Sequence, residues 1–166
     1  MLLEHTWLNQ PLEWLRHGEA HEVIPLKAIL PGIKNFFDEL DKAIKDESYR
    51  PDLTLCSDSM GTKIEMILRF ICKKMDIPTF NYTEHKGHIL TDEKTLGMLI
   101  SNLDDVLPAN DMILIKYLLN EKAGLNLRNR IAHGLMDSDE YNPSVPLTLL
   151  MIILRLSQFK FEPTTN

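Results

Sequence analysis

The sequence predicts an all-α domain, an up-and-down helical bundle, and three observations carry that reading. Apolar residues recur at helical spacing along most of the chain, with no convincing parallel-sheet pattern. Proline and glycine fall mainly between those runs, where they can close one helix before the next begins. At 166 residues and 44% hydrophobic content, the chain has the size of one domain and can bury a core without disulfide or metal staples.

Residues 1–58 read as an N-terminal helical extension that packs on or continues the bundle, 59–160 as the main helical domain and 161–166 as a tail. The first segment carries Leu3, Trp7, Leu8, Leu12, Trp14 and Leu15 around Pro11, the pattern of an arm that packs on its own bundle or on a second copy. His21 to about Glu47 reads as helical, with Pro25 in its first turn and Pro31-Gly32 expected to split or kink it. Ile33, Phe36, Phe37, Leu40 and Ile44 form its stripe, and Ser48–Asp58 reads as a loop. The next stripe is Met60, Ile64, Ile67, Leu68, Ile71, Cys72 and Met75, in a helix that Ser59 can cap and Pro78 closes.

Thr79–Leu90 is polar and aromatic, and either a loop or a small hairpin turning at Lys86-Gly87 fits it. Thr91 is expected to open a helix, because Asp92 and Glu93 suit the positive end of a helix dipole. Its core face is Leu96, Leu99, Ile100, Leu103 and Val106, and Pro108 ends it. Asn110–Ala123 is apolar almost all round and is expected at the bundle centre, stopped by a left-handed Gly124. Asn126 then caps a short helix, Leu127 to about Met136, and Pro143–Phe159 forms the last helix.

Composition narrows the function classes. A formal charge of −6 argues against broad, sequence-blind nucleic-acid binding, which needs clustered Lys and Arg. Lys122, Arg128 and Arg130 nevertheless fall close together in an otherwise acidic chain. The apolar run Val145–Leu154 is too short to span a bilayer, so no membrane role is expected. The opening Met1–His5 lacks the layout of a signal peptide, and two cysteines make no disulfide framework; a reducing cytoplasm is the expected setting. His85 with His88, and His17 with His21, lack further ligand partners at fixed spacing, so neither metal nor cofactor is expected.

The chemistry concentrates in the short helix. On a helical wheel Leu127, Ile131 and Leu135 lie within about 80° of one another and should face the core. Asn129, His133 and Arg130 project from the other side, near about 200°, 240° and 300°, with Arg128 on the flank. A buried stripe therefore anchors an imidazole, an amide and guanidinium groups on one rigid element.

The run Gly124-Leu125-Asn126-Leu127-Arg128-Asn129-Arg130-Ile131-Ala132-His133-Gly134 resembles the signature of HEPN domains, which carry an Arg, a polar residue directly after it and a His several positions on. Together with Ile64–Arg69 upstream, it is most similar to a branch named only as a domain of unknown function. The resemblance spans roughly Ser59 to Phe159. It implies a HEPN-like bundle, with the motif-bearing helix just before the last one, that dimerises and sets two motifs at a shared cleft. It also implies a metal-independent endoribonuclease, with Arg128, Asn129 and His133 catalytic; beside it, the local clustering of basic residues nominates Arg130 and Lys122 as substrate-binding, and the helix reading places Glu65 and Asn126 in support. The expected partners are RNA and a second copy, in a defence or stress response, with room for an antitoxin or regulatory protein.

Plainer readings stand beside these. His133 can be a surface histidine at a helix end, and Arg128 and Arg130 salt-bridge partners of the many acids. Glu65 and Arg69 can be a simple i, i+4 helix pair instead of an acid that orients Arg128. The rival function is a non-catalytic dimerisation or protein-interaction module of the same fold. The apolar excess of the last helix, Leu147 to Leu156, predicts the homodimer interface.

Overall fold

The computed structural model describes residues 25–159. Six helices and one β-hairpin follow in order: α1 (Pro25–Lys45), α2 (Thr54–Lys74), β1 (Phe80–His85), β2 (His88–Glu93), α3 (Leu96–Asn102), α4 (Ala109–Leu119), α5 (Leu127–Ala132) and α6 (Ser144–Leu156). The largely helical expectation holds, but the hairpin makes the fold α-rich rather than all-α. The first segment with Trp7 and Trp14, the His17/His21 pair and the tail lie outside the described residues. Among the described residues, no helix is long and apolar enough to cross a membrane.

The core is built around α2, which packs against α1, α3, α5 and α6. Its stripe Met60, Ile64, Ile67, Leu68, Ile71 and Cys72 is fully buried, whereas Met75 caps the C-terminus and is exposed. Each such large apolar side chain contributes about 1.5–3 kcal/mol on burial. The helix starts at Thr54, five residues before the expected Ser59 cap, and the boundary at residues 58/59 falls inside it. Leu53 and Cys56 are buried and carry the stripe backwards, while the Asp52 carboxylate accepts from the Thr54 N–H at 3.0 Å. Packing of those two side chains outweighs the loop signals that Pro51 and Asp52 send.

Helix α1 is continuous through Pro31. Pro31 and Lys27 lie on its exposed side, so the carbonyl that loses its partner is open to water. Gly32 faces α2 so closely that a Cβ there would stand 2.8 Å from Ser59 Oγ. The missing side chain lets the two helices approach closely right beside the proline. Ile44, expected in the stripe, is 82% exposed near the C-terminal end of α1. At that end Glu39 takes over: nearly buried, it accepts from Lys42 Nζ at 2.6 Å, Tyr49 Oη at 2.7 Å and the Asp52 N–H at 2.9 Å. These bonds, the lysine's first, hold its carboxyl below the usual carboxylate range and clamp the α1–α2 connection.

The segment Thr91–Glu93 pairs in β2 and opens no helix. Lys86 and Gly87, with φ of 51° and 77°, supply the two positive dihedrals of a tight two-residue turn, which sets Phe80 opposite Glu93 and His85 opposite His88. Helix α3 begins after Thr95, whose hydroxyl accepts from the Met98 N–H. It ends at Asn102, and in the turns that follow Leu107 is buried where Val106 was expected. Helix α4 buries Met112, Ile115, Leu118 and Leu119 but exposes Ile113 and Tyr117, so it lies on the side of the bundle and not at its centre.

Gly124 is not left-handed. Its role is close approach: a Cβ there would stand 2.0 Å from the Tyr117 carbonyl oxygen, beside the bond from the Leu125 N–H to that same oxygen. Asn126 is the left-handed residue, with φ of 49°, and its side chain makes no helix cap. Helix α5 ends at Ala132 because Gly134, with φ of 62°, reverses the chain. The Gly134 N–H donates to Ile131 O and the Leu135 N–H to Arg130 O, the paired bonds of a Schellman turn. Leu135 is thereby thrown out of the core stripe and is 64% exposed.

Candidate functional site

Two helices build the cleft. Leu127 and Ile131 bury α5 against the core, and Gly61 of α2 lets it come close: a Cβ at that glycine would stand 2.8 Å from Ile131 Cδ1. This approach sets the polar face of α5 beside Glu65 and Arg69, one turn apart on α2. Arg128, Asn129 and His133 then line a cleft of about 520 Å³ with Glu65, Arg69, Glu93, Lys94, Thr95, Gly97 and Asn120.

One carboxylate joins the two walls. Glu65 Oε1 accepts from Arg69 Nη2 at 2.8 Å, and Glu65 Oε2 accepts from Arg128 Nη2. The glutamate is both an i, i+4 helix partner and the group that holds Arg128 across the cleft. All three side chains are largely buried, so the pairs are shielded from water. Arg69 also donates to the carbonyls of Lys94 at 2.5 Å and Thr79 at 3.4 Å, which pins both ends of the hairpin to the cleft. Asn129 receives a long bond from Arg128 Nη1, 3.4 Å, and donates from Nδ2 to Asn126 Oδ1 at 2.8 Å. Arg128 Nε is buried and makes no hydrogen bond. His133 caps the C-terminal end of α5 and is exposed.

Of the residues expected in the site, Arg128, Asn129, His133 and Glu65 come together, with Asn126 behind Asn129. Arg130 points elsewhere. Its Nη2 donates to Glu140 Oε1 at 2.5 Å and Oε2 at 2.6 Å, and Glu140 also accepts from the Asp137 N–H. The guanidinium holds the Glu140 carboxyl below its ordinary range and straps the loop after α5. Lys122 is exposed and does not line the cleft. Residues that spacing did not flag are Lys94, Thr95, Gly97 and Asn120, which reach the cleft through the hairpin and the ends of α3 and α4.

Chemically the cleft offers two guanidiniums and an ammonium against two carboxylates, beside an accessible imidazole. Such a set can hold an anionic group near a proton donor or acceptor. Among the described residues no group of three or more His, Cys, Asp or Glu is placed to hold a metal ion. Cys56 and Cys72 are buried, and burial raises both thiols, which disfavours the reactive thiolate. No family model, curated protein or solved structure matches the chain.

Proposed function

We propose that this cleft handles a phosphodiester and that the chain is a HEPN-type, metal-independent endoribonuclease acting as a homodimer. The observation that supports this best is the convergence of Arg128, Asn129 and His133 on one wall of a cleft whose other wall supplies Glu65 and Arg69. In the proposed reaction the ribose 2′-oxygen attacks phosphorus as an imidazole takes its proton. The bond from phosphorus to the 5′-oxygen breaks, and the leaving oxygen receives a proton from an imidazolium. The products are a 2′,3′-cyclic phosphate and a 5′-hydroxyl.

Arg128 stabilises charge on the phosphoryl oxygens, and Asn129 orients the phosphate or the imidazole. A substrate phosphate competes with Glu65 for Arg128, so the carboxylate both positions the guanidinium and tempers its affinity. His133 of each copy supplies one of the two proton-transfer roles. The apolar groove that α6 forms with α1, lined by Phe36, Phe37, Leu40, Leu147, Leu150 and Met151, shares no residue with the cleft, and a dimer that joins two clefts needs apolar area beside the cleft. The exposed Tyr82 and Ile89 of the hairpin offer apolar area for it.

The second reading, a non-catalytic interaction module, is favoured by two facts: Arg128 is already paired with Glu65, and the formal charge is −6. An RNA-cleavage assay comparing the native chain with His133→Ala separates the two. Cleavage that the substitution abolishes supports the enzyme. Absence of cleavage in both, or equal rates in both, overturns it in favour of the module or of a different catalytic group.

A further inference from the structure

Helices α1 and α6 both lie on α2, and between them runs an apolar trench of about 440 Å³. Phe36 and Leu150 form its floor, and Phe37, Leu40, Leu147 and Met151 its walls. The floor residues are buried, while Leu147 is 51% and Met151 41% exposed. An open, concave apolar trench of this size is a surface suited to docking.

We propose that the occupant is the chain's own N-terminal segment, residues 3–15. Three observations select it. First, its composition fits: Leu3, Trp7, Leu8, Leu12, Trp14 and Leu15 lie within thirteen positions, and Trp7 and Trp14 are the only two tryptophans of the chain.

Second, the reach is right. The segment joins α1 at Pro25, and Phe36 to Leu40 lie about 16–23 Å along that helix, at about 1.5 Å per residue. Residues 16–24, Arg-His-Gly-Glu-Ala-His-Glu-Val-Ile, span up to about 30 Å when extended, and Gly18 can serve the reversal. That connection lets residues 3–15 fold back along the trench. Third, the tether favours it over a second copy. A short connection sets an effective concentration on the order of millimolar, far above that of free chains at micromolar concentration.

Tryptophan-selective emission therefore reads this segment alone. The expected result for the full chain is blue-shifted emission, protected from acrylamide and unchanged over a hundredfold dilution. Met151→Asp and Leu147→Asp change exposed trench positions, so the helical circular dichroism should persist. In both, emission should move to the water-exposed wavelength and quenching should rise several-fold. Ile113→Asp, an exposed apolar position on α4 away from the trench, should leave both signals unchanged. Water-like emission in the native chain, or protected emission indifferent to both trench substitutions, overturns the proposal. So does protection lost on dilution, which would assign the trench to a second copy.

Discussion

Gly61→Ala tests whether the approach of α5 to α2 is as tight as the structure has it. In an ordinary helix interior this substitution stabilises by about 1 kcal/mol, because alanine loses less backbone entropy than glycine. Here the new Cβ would stand 2.8 Å from Ile131 Cδ1, closer than real contacts allow, while Ile131 Cγ2 and Cβ lie at 3.5 and 3.7 Å, ordinary contact. Overpacking of this kind costs about 1–3 kcal/mol, so the net change is a loss on the order of 1 kcal/mol. Ile131→Val removes the offending Cδ1 at a cost of about 0.5–1.5 kcal/mol. In that background Gly61→Ala should turn stabilising, by up to about 1 kcal/mol, once the crowding is gone and the propensity gain remains. Urea unfolding of the four proteins gives the cycle, with an expected coupling of about 1–3 kcal/mol. Additive effects, or a Gly61→Ala chain more stable than the native one, would refute the packing argument and, with it, the registration of Arg128 against Glu65.

Gly124→Ala should cost at least about 2 kcal/mol in the same assay, since the Tyr117 carbonyl 2.0 Å away belongs to the backbone and cannot rotate aside. Glu39→Gln should cost about 1–3 kcal/mol at neutral pH by weakening its charged hydrogen bonds. Because the folded carboxyl is depressed, its contribution is present above the unfolded carboxylate range and fades as pH falls through the lower folded value. The stability gap between native and Glu39→Gln should therefore narrow on acidification, and a gap that widens would contradict the linkage. On the proposed RNA-cleaving activity, His133→Ala should lower the rate about 100-fold or more while shifting stability by no more than roughly 1 kcal/mol. Arg128→Lys should rescue little, because an ammonium cannot reproduce a guanidinium's fork, and chelator should leave the native rate unchanged. Magnesium dependence, or equal cutting of DNA, would refute that mechanism.

Much of the helical frame was legible because its cause is local. The stripe from Met60 to Cys72 and the pair Leu127 and Ile131 follow from spacing alone, and they are buried as expected. The wheel failed at Leu135, where Gly134 leaves the right-handed region and ends the period. Asp92 and Glu93 resembled a helix start because acids favour both a positive dipole end and an exposed strand; cross-strand pairing with Phe80 and Asn81 decided between them. One wall of the cleft could be read from Arg128, Asn129 and His133. The rest of it, Lys94 to Gly97 and Asn120, shares no period with α5 and meets it only through tertiary contacts. Arg130, expected to bind substrate beside Arg128, pairs instead with Glu140, a partner ten residues on that spacing did not single out.

Among the described residues the hairpin pairs only with itself, so there β1 and β2 each leave an outer edge of backbone donors and acceptors without a strand beside it. Such edges template the addition of strands from other molecules. Tyr82, Ile89 and Leu90, all exposed, would reward that addition with apolar burial. Glu84, Asp92, Glu93 and Lys86 are the charges that keep like edges apart. Association of folded chains along these edges should therefore be strongest near the isoelectric point, where net repulsion vanishes. Precipitation there would come from intact molecules joining edge to edge and would precede any loss of helix.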